Sequence, residues 1–441
     1  MIIGLALLAT VALLMTLLAR SALLTTDKAR ALSLADASAK SVATWYAQIL
    51  NYDAYTNRAI AANEIIIAQS VTMAAWTDYV KHLATNIESV AQLLPAVQPI
   101  ATWIQEASVV AHESASMAAQ LEVPLRSSYT RALQASQQIM HASATPFAAQ
   151  ALVNEVVWTG DRRFFAQIIP SSNISSFTGF SRQYSGAERA DLAMLVRSSQ
   201  DSFSHSRGYD QRLYLMPTVT CIPNSVDRSF SKLIRRGMTW LSDDMEEIQS
   251  ADTLSIHTWR RRGRWNPVCR SLGESIPLGW GAAEAALDQN SLSNGAGDQG
   301  AEPAFLRANS RALSLAKSSK NQFAGYLGLS SHRELSDLSQ HARSNASVRV
   351  PVLVRLPATK VPKITAHQKG QALGSQGVVG NALWSLAVAE TFFHRPAVTM
   401  PNSADREFGN LFAPFWSSRL VSPSAADRAV AMAMSEKGIS P

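Results

Sequence analysis

The chain opens on an apolar run unlike anything after it. Residues 2–19 (IIGLALLATVALLMTLLA) carry no charge, and Gly4, Thr10 and Thr16 are their weakly polar members. At about 1.5 Å per residue the run spans roughly 27 Å, close to the hydrocarbon core of a bilayer. No second run of this kind follows, so the pattern predicts one membrane anchor, residues 1–20. A cleaved signal peptide brings a basic segment ahead of its apolar run and a small-residue site behind it. Here the run begins at residue 2 and Ala19-Arg20-Ser21-Ala22 is a poor site, so the anchor is expected to stay. Arg20, Lys28 and Arg30 after the span would pull the bulk of the chain to the cytoplasm by the positive-inside rule.

Between Gly4 and Pro95 there is neither glycine nor proline, which predicts one very long helix or two nearly continuous ones. Met73, Trp76, Val80, Leu83, Ile87, Val90 and Leu94 recur at alternating steps of three and four, and Val42, Trp45, Ile49 and Tyr52 make an earlier stripe. Thr56, Asn63 and Ser70 put polar groups where the heptad expects apolar ones, which weakens a seam but fixes its register. Thr26-Asp27 resembles a helix N-cap and marks a kink. Helical sequence resumes over 101–157, interrupted at Pro124 and Pro146. Folding these segments back as a hairpin or small bundle would bury the stripe, making 21–160 an all-α stalk.

After Gly160 glycine, serine, proline and arginine all rise. Strand-like runs appear at 213–222, 237–241, 253–259, 348–356 and 382–393. Pro351 within VRVPVLVRL suggests an edge strand or a bulge. Residues 288–303 read as a Gly-rich linker, and the Ala-rich tail 421–441 as a final helix turn or frayed end. The fold class is therefore α+β: a long N-terminal transmembrane and stalk helix with a helical hairpin, then a mainly antiparallel β domain over 161–420.

With 47% hydrophobic and 17% charged residues among 441, a wholly disordered chain is excluded. The net charge of +7 is modest for this length and does not favour a nucleic-acid binder. Arg260, Arg261, Arg262 and Arg264, flanked by Trp259 and Trp265, form the sharpest charge feature, with Lys232, Arg235 and Arg236 to join them. They read first as a solvated turn with Asp243, Asp244, Glu246 and Glu247 nearby, and second as a contact for a partner. No phosphate-binding loop, nucleophile elbow or zinc-protease motif occurs. The nine histidines are scattered, with no Cys or second His at ligand spacing. The reading is a non-enzyme without cofactor, metal or small-molecule substrate. Cys221 and Cys269 form either one disulfide or two buried thiols; a bond would stabilise by about 2–4 kcal/mol outside the cytoplasm.

One stretch carries a resemblance. Asn51–Ser70 (NYDAYTNRAIAANEIIIAQS), behind an apolar N-terminus and the Ala/Asp/Ser-rich residues 34–41, resembles the TadE/TadG-like proteins of the tight-adherence (Flp, type IVc) pilus system. The C-terminal runs AETFFHRP (389–396) and EFGNLFAPFWSSRL (407–420) are similar to that family too, with Glu390, Arg395, Glu407, Leu411, Phe412, Pro414, Trp416 and Arg419 carrying the match. Ala413 stands where the family's L-F-N-P-Y-W-like segment has asparagine. Gly279–Ala283 (GWGAA), shortly after Cys269, fits as well. The resemblance implies a structural, minor-pilin-like component that primes, tips or regulates such a pilus. It implies an inner-membrane anchor with the bulk in the periplasm, against the charge rule and in keeping with a Cys221–Cys269 disulfide. The implied partners are other pilus subunits, the major Flp pilin, the assembly platform and the bilayer. Residue 5 is Leu where polymerising pilins carry Glu. The alternative is a membrane-anchored periplasmic scaffold or adhesin outside any pilus. Ala6 and Thr10 in the anchor, and Tyr55, Asn57, Arg58, Asn63 and Glu64 beyond it, are the candidate helix-contact residues for assembly.

Overall fold

A computed structural model describes residues 2–92, 98–169, 177–213, 231–242, 244–262, 268–287, 303–357, 360, 378–379, 382–395 and 408–436. The breaker-free N-terminal sequence forms one uninterrupted helix, α1 (Ile2–Ala91). Thr26 does not start a helix: its hydroxyl donates to the Ala22 carbonyl one turn back, and Asp27 takes Arg163 at 2.9 Å from within α1. Helix α2 (Gln98–Ser143) runs straight through Pro124. Tertiary packing offsets the missing N–H there. The Pro124 ring lies against Gly325 (φ +92), where an added Cβ would come within 2.8 Å of it. Helix α3 (Pro146–Gly160) begins with Thr145 accepting from Ala148 N–H and proline in its first turn.

The shorter helices are α4 (Phe177–Phe180), α5 (Ala190–Ser198), α6 (Ser310–Ser318), α7 (Gln340–Ser344) and α8 (Ala425–Glu436). The strands are β1 (Phe165–Ile168), β2 (Ser181–Tyr184), β3 (Arg207–Leu213), β4 (Ser231–Leu241), β5 (Ile248–Arg262), β6 (Val268–Ala286), β7 (Asn321–Ala324), β8 (His332–Leu335), β9 (Ser347–Leu356), β10 (Val378–Val379), β11 (Ala382–Phe393) and β12 (Trp416–Val421). The chain is thus α+β with a long N-terminal helix. Residues 221 and 288–302 lie outside the described residues, so the expected linker and one of the two cysteines do too.

Two compact units form from interleaved segments: 1–57, 135–183 and 333–441 in the first, 58–134 and 184–332 in the second. The first holds a sheet ordered β1-β9-β11-β10, with β12 also on β11. Strand β9 is central, so Pro351 is not at an edge. It is tolerated because its carbonyl takes Ile169 N–H at 3.0 Å where the β1 ladder stops, so the missing N–H falls at the ladder's end. Val348, Val350, Val352 and Val354 alternate onto one face, where they join Val42, Ile49 and Leu50 of α1 and Val153 and Val157 of α3. Leu353, Trp384 and Leu386 pack the other face against Ala431 of α8. Burial on both faces explains the nearly unbroken apolar run in β9.

The second unit holds the sheet β3-β4-β5-β6-β7, antiparallel except for the parallel β6–β7 pair. Here the stripe read from the sequence does not make the core. Met73, Ile87 and Val90 are 44%, 52% and 64% exposed, whereas Val71, Ala74, Ala75, Asp78 and Tyr79 are buried. The reason is a close approach of strand to helix. An added Cβ on Gly281 would lie 2.3 Å from both the Ala75 carbonyl oxygen and the Tyr79 nitrogen, and one on Gly279 would lie 2.9 Å from the Tyr79 ring. Ala75 on the helix and Gly281 on the strand leave room for the two backbones to meet; a bulky side chain at either position would hold them apart.

Candidate functional site

Two features of α1 carry the candidate site: its apolar start and a polar seam further along. Ile3, Leu5, Leu7, Leu8, Leu13, Leu14 and Leu18 are all exposed, and among the described residues this one helix is long and apolar enough to cross a membrane. Thr10 donates its hydroxyl to the Leu7 carbonyl at 2.8 Å, so its polar group is satisfied inside the helix. Ala6 lies in the same helical turns.

In the first unit the polar seam joins α1 to the C-terminal segment. Asn51 makes a reciprocal pair with the backbone of Trp416: its Nδ2 donates to the Trp416 carbonyl and its Oδ1 accepts from the Trp416 N–H, both at 2.9 Å. Asn57, fully buried, donates to the Leu411 and Arg333 carbonyls at 2.7 Å and accepts from Gln137 at 2.9 Å. The segment 410–416 is itself a tight turn. Asn410 Oδ1 accepts from the N–H groups of Phe412 and Ala413, and Trp416 Nε1 donates to the Asn410 carbonyl at 3.1 Å. Asn410 thereby caps the turn from a position three residues before Ala413. Leu411 is buried and its N–H donates to Glu334 at 2.9 Å. Arg419 of β12 is paired across the ladder with Glu390 of β11, donates to it through Nε at 2.6 Å, and lies 4.2 Å over the Phe392 ring. Arg395 stacks 5.2 Å from the Phe415 ring centre. Phe412 and Pro414 are half-buried. Glu407 lies outside the described residues.

The seam also holds groups that the sequence reading passed over. Asp53 Oδ2 meets His141 Nε2 at 2.6 Å, while its other oxygen is buried with no hydrogen-bond partner. Burial raises the Asp53 carboxyl, against the opposing pull of His141 and Arg333. His141, Phe177 and Tyr46 stack, the rings of Tyr46 and Phe177 4.1 Å apart.

In the second unit Glu64 is 1% exposed and accepts from the Tyr326 hydroxyl at 2.9 Å. Burial pushes it up to about 7, although hydrogen bonds from Tyr326 and Ser330 act in the other direction. Asn63 donates to Ala59 and accepts weakly from Arg126. Asp78 lies between His82 (3.4 Å), His112 (3.7 Å) and Lys81 (3.7 Å), and its carboxyl too is raised by burial. Among the described residues no group of His, Cys, Asp and Glu is arranged to hold a metal ion. Tyr55 and Arg58 lie on the exposed side of α1. The assembly candidates therefore divide: Asn57, Asn63 and Glu64 face inward, Tyr55 and Arg58 outward.

A signal for the buried set was present. Asn57, Glu64, Val71 and Asp78 follow one another at seven-residue steps, a heptad line offset from the apolar stripe. Asp53 lies one turn before its first member. The disulfide expectation falls outside the described residues: Cys221 is not among them, and only the backbone of Cys269 is, opposite Arg261 in the β5–β6 ladder.

No family model, no curated protein and no solved structure matches this chain.

Proposed function

We propose that this chain is a structural, minor-pilin-like subunit of a tight-adherence (Flp, type IVc) pilus, held in the inner membrane by residues 2–19 with its bulk in the periplasm. One observation carries the reading. The stretches 51–70 and 407–420 that resemble the TadE/TadG-like proteins lie far apart in sequence, yet Asn51 bonds directly to Trp416, 365 residues on, and Asn57 to Leu411, 354 residues on. Motifs that close one seam are the ones a fold family retains for architecture rather than for chemistry. The exposed apolar start of α1 supports a single-pass anchor.

A helical hairpin forms the periplasmic stalk in this account. Side-chain contacts support it: Asn63 with Arg126, Ser70 with Glu122, Thr77 with His112, and Glu88 with Thr102 step in opposite directions along α1 and α2. Seam residues such as Glu64 act by holding this stalk rigid, and Tyr55 and Arg58 are the ones placed to meet a neighbouring subunit.

Affinity purification of the full-length tagged chain from detergent-solubilised cells tests the reading. Recovery of the major Flp pilin and other pilus subunits is expected. Recovery of envelope proteins without any pilus subunit would transfer the chain to the scaffold-or-adhesin class.

A further inference from the structure

Helix α2 has two faces, and its own chain covers one of them. Ala101, Ser108, His112, Ala119 and Val123 are buried, with His112 meeting Thr77 of α1 at 3.5 Å. On the opposite side Ile100, Trp103, Val110, Met117, Leu121 and Leu125 are between 60% and 69% exposed. At about 100° per residue the two sets centre roughly half a turn apart. Scattered exposed apolar side chains are ordinary, but these six form one line. At ordinary side-chain areas they present roughly 700 Å², above the largest apolar patch of a typical monomer and close to one partner's share of a standard interface.

The line has the spacing that another helix requires. Ile100, Trp103, Ala107, Val110, Ser114, Met117 and Leu121 follow at alternating steps of three and four. That is an a/d seam of three heptads, about 32 Å long. The next position would be Pro124, whose ring is already against Gly325, so the seam ends there. Ala107 and Ser114 are exposed at a positions, and their small side chains let a second helix approach closely at the middle.

The flanks of the seam choose the partner's direction. On the g side Glu106, Glu113 and Gln120 are exposed; on the e side Ile104, Ala111, Ala118 and Leu125 are. An antiparallel copy would lay the acidic flank along its own equivalent, and like charges brought together are costly. A parallel copy sets each g residue beside the e residue five positions on in its neighbour. Glu106 then meets Ala111 of the second copy, and Glu113 meets Ala118, with both carboxylates left at the solvent edge. Copies held in one bilayer through residues 2–19 also point the same way, and that confinement raises their effective concentration. Packing on α1 already holds α2 helical, so pairing requires little further ordering of its backbone.

We propose that the outer face of α2, from Ile100 to Leu125, is a parallel, in-register contact with α2 of a second copy, closed by two-fold symmetry. The inference uses the anchor of the proposed function but not the pilus, and its test reads no pili.

The test is cysteine crosslinking in membranes from cells expressing the full-length chain with Cys221→Ser and Cys269→Ser. In-register a positions set identical residues opposite each other, within disulfide reach. Ala107→Cys and Leu121→Cys, each added alone and oxidised in air with copper phenanthroline, should therefore yield a dimer on non-reducing gels. Each should exceed by tenfold or more the yield of Ser198→Cys, which is exposed on α5 and reports chance collision. Adding Val110→Glu with Met117→Glu to the Ala107→Cys chain should lower its dimer yield at least tenfold. Resistance to limited proteolysis checks that the variants are folded, and Gln replaces Glu if that pair is not. If the serine background accumulates poorly, the cysteines are added to the native chain and scored above its own dimer band. Yields no higher than that of Ser198→Cys overturn the proposal, as does a folded Glu or Gln variant that still crosslinks fully. A dimer formed only when the Ala107→Cys and Leu121→Cys chains are mixed indicates antiparallel pairing and overturns it too. So do crosslinks from either position to a different protein with none between copies.

Discussion

Glu64 shows what a single polar residue costs and fixes in this chain. Its carboxyl is buried on α1, with the Tyr326 hydroxyl as donor, and burial lifts it from 4.5 to about 7. Between those values the folded protein keeps a proton that the unfolded chain has released, so stability falls as pH rises through this window and levels off above it. The loss is on the order of 3 kcal/mol when complete, at about 1.4 kcal/mol per pH unit. Glu247 shifts in the same direction, so the informative quantity is the difference between wild type and Glu64→Gln. Urea unfolding at pH 5 and pH 8 should show a smaller pH dependence for Glu64→Gln, with the variant the more stable at pH 8; identical slopes would refute the account. Gly281 makes a steric case of the same scale. Gly281→Ala puts a Cβ 2.3 Å from two backbone atoms of α1 and should destabilise by about 3 kcal/mol or more. Gly4→Ala, with nothing within 4 Å, should be neutral in the same thermal-melt measurement.

The elements were legible in proportion to how far local chemistry decides them. The absence of glycine and proline specifies α1 without help from the rest of the chain. The strands at 348–356 and 382–393 follow from a valine run in the first and from apolar and aromatic residues in the second, and both are there. What failed was the choice of face. The Met73–Val90 stripe satisfies helical periodicity, but the partner of α1 in this unit is a strand whose Gly281 comes to backbone distance of Ala75 and Tyr79, and no property of residues 73–90 announces that. Pro124 and Pro351 failed for the same cause: proline's local cost is visible in sequence, while the contact with Gly325 and the end of the β1 ladder that offset it are tertiary. The element-scale prediction follows. Ile87→Ser and Val90→Ser should each change stability by less than about 0.5 kcal/mol, whereas Ala75→Leu should cost about 1–3 kcal/mol by overpacking. Denaturant midpoints of the three variants decide it; a larger cost for the two serine variants would mean that the stripe is the packed face after all.

At the scale of the whole molecule, sequence reading reached the long helix with its apolar start and the α+β class, each of which has a local signature. It did not reach the division into two units, because each unit is assembled from separated segments and the two long helices pass from one to the other. Nor did it reach the buried ionisable sites at Asp53–His141 and Asp78–His112, whose partners stand 88 and 34 residues apart in sequence. An exposed apolar helix start, buried polar pairs along α1 and a seam closed by the two resembling stretches are the observations behind the proposal of a structural component of an envelope assembly. The central claim, that the chain is needed to build a tight-adherence pilus, is tested most directly by counting surface pili in electron micrographs of a strain lacking it. The account predicts bald cells, with pili restored by the full-length chain expressed in trans. A deletion strain with normal numbers of normal-length pili would contradict it.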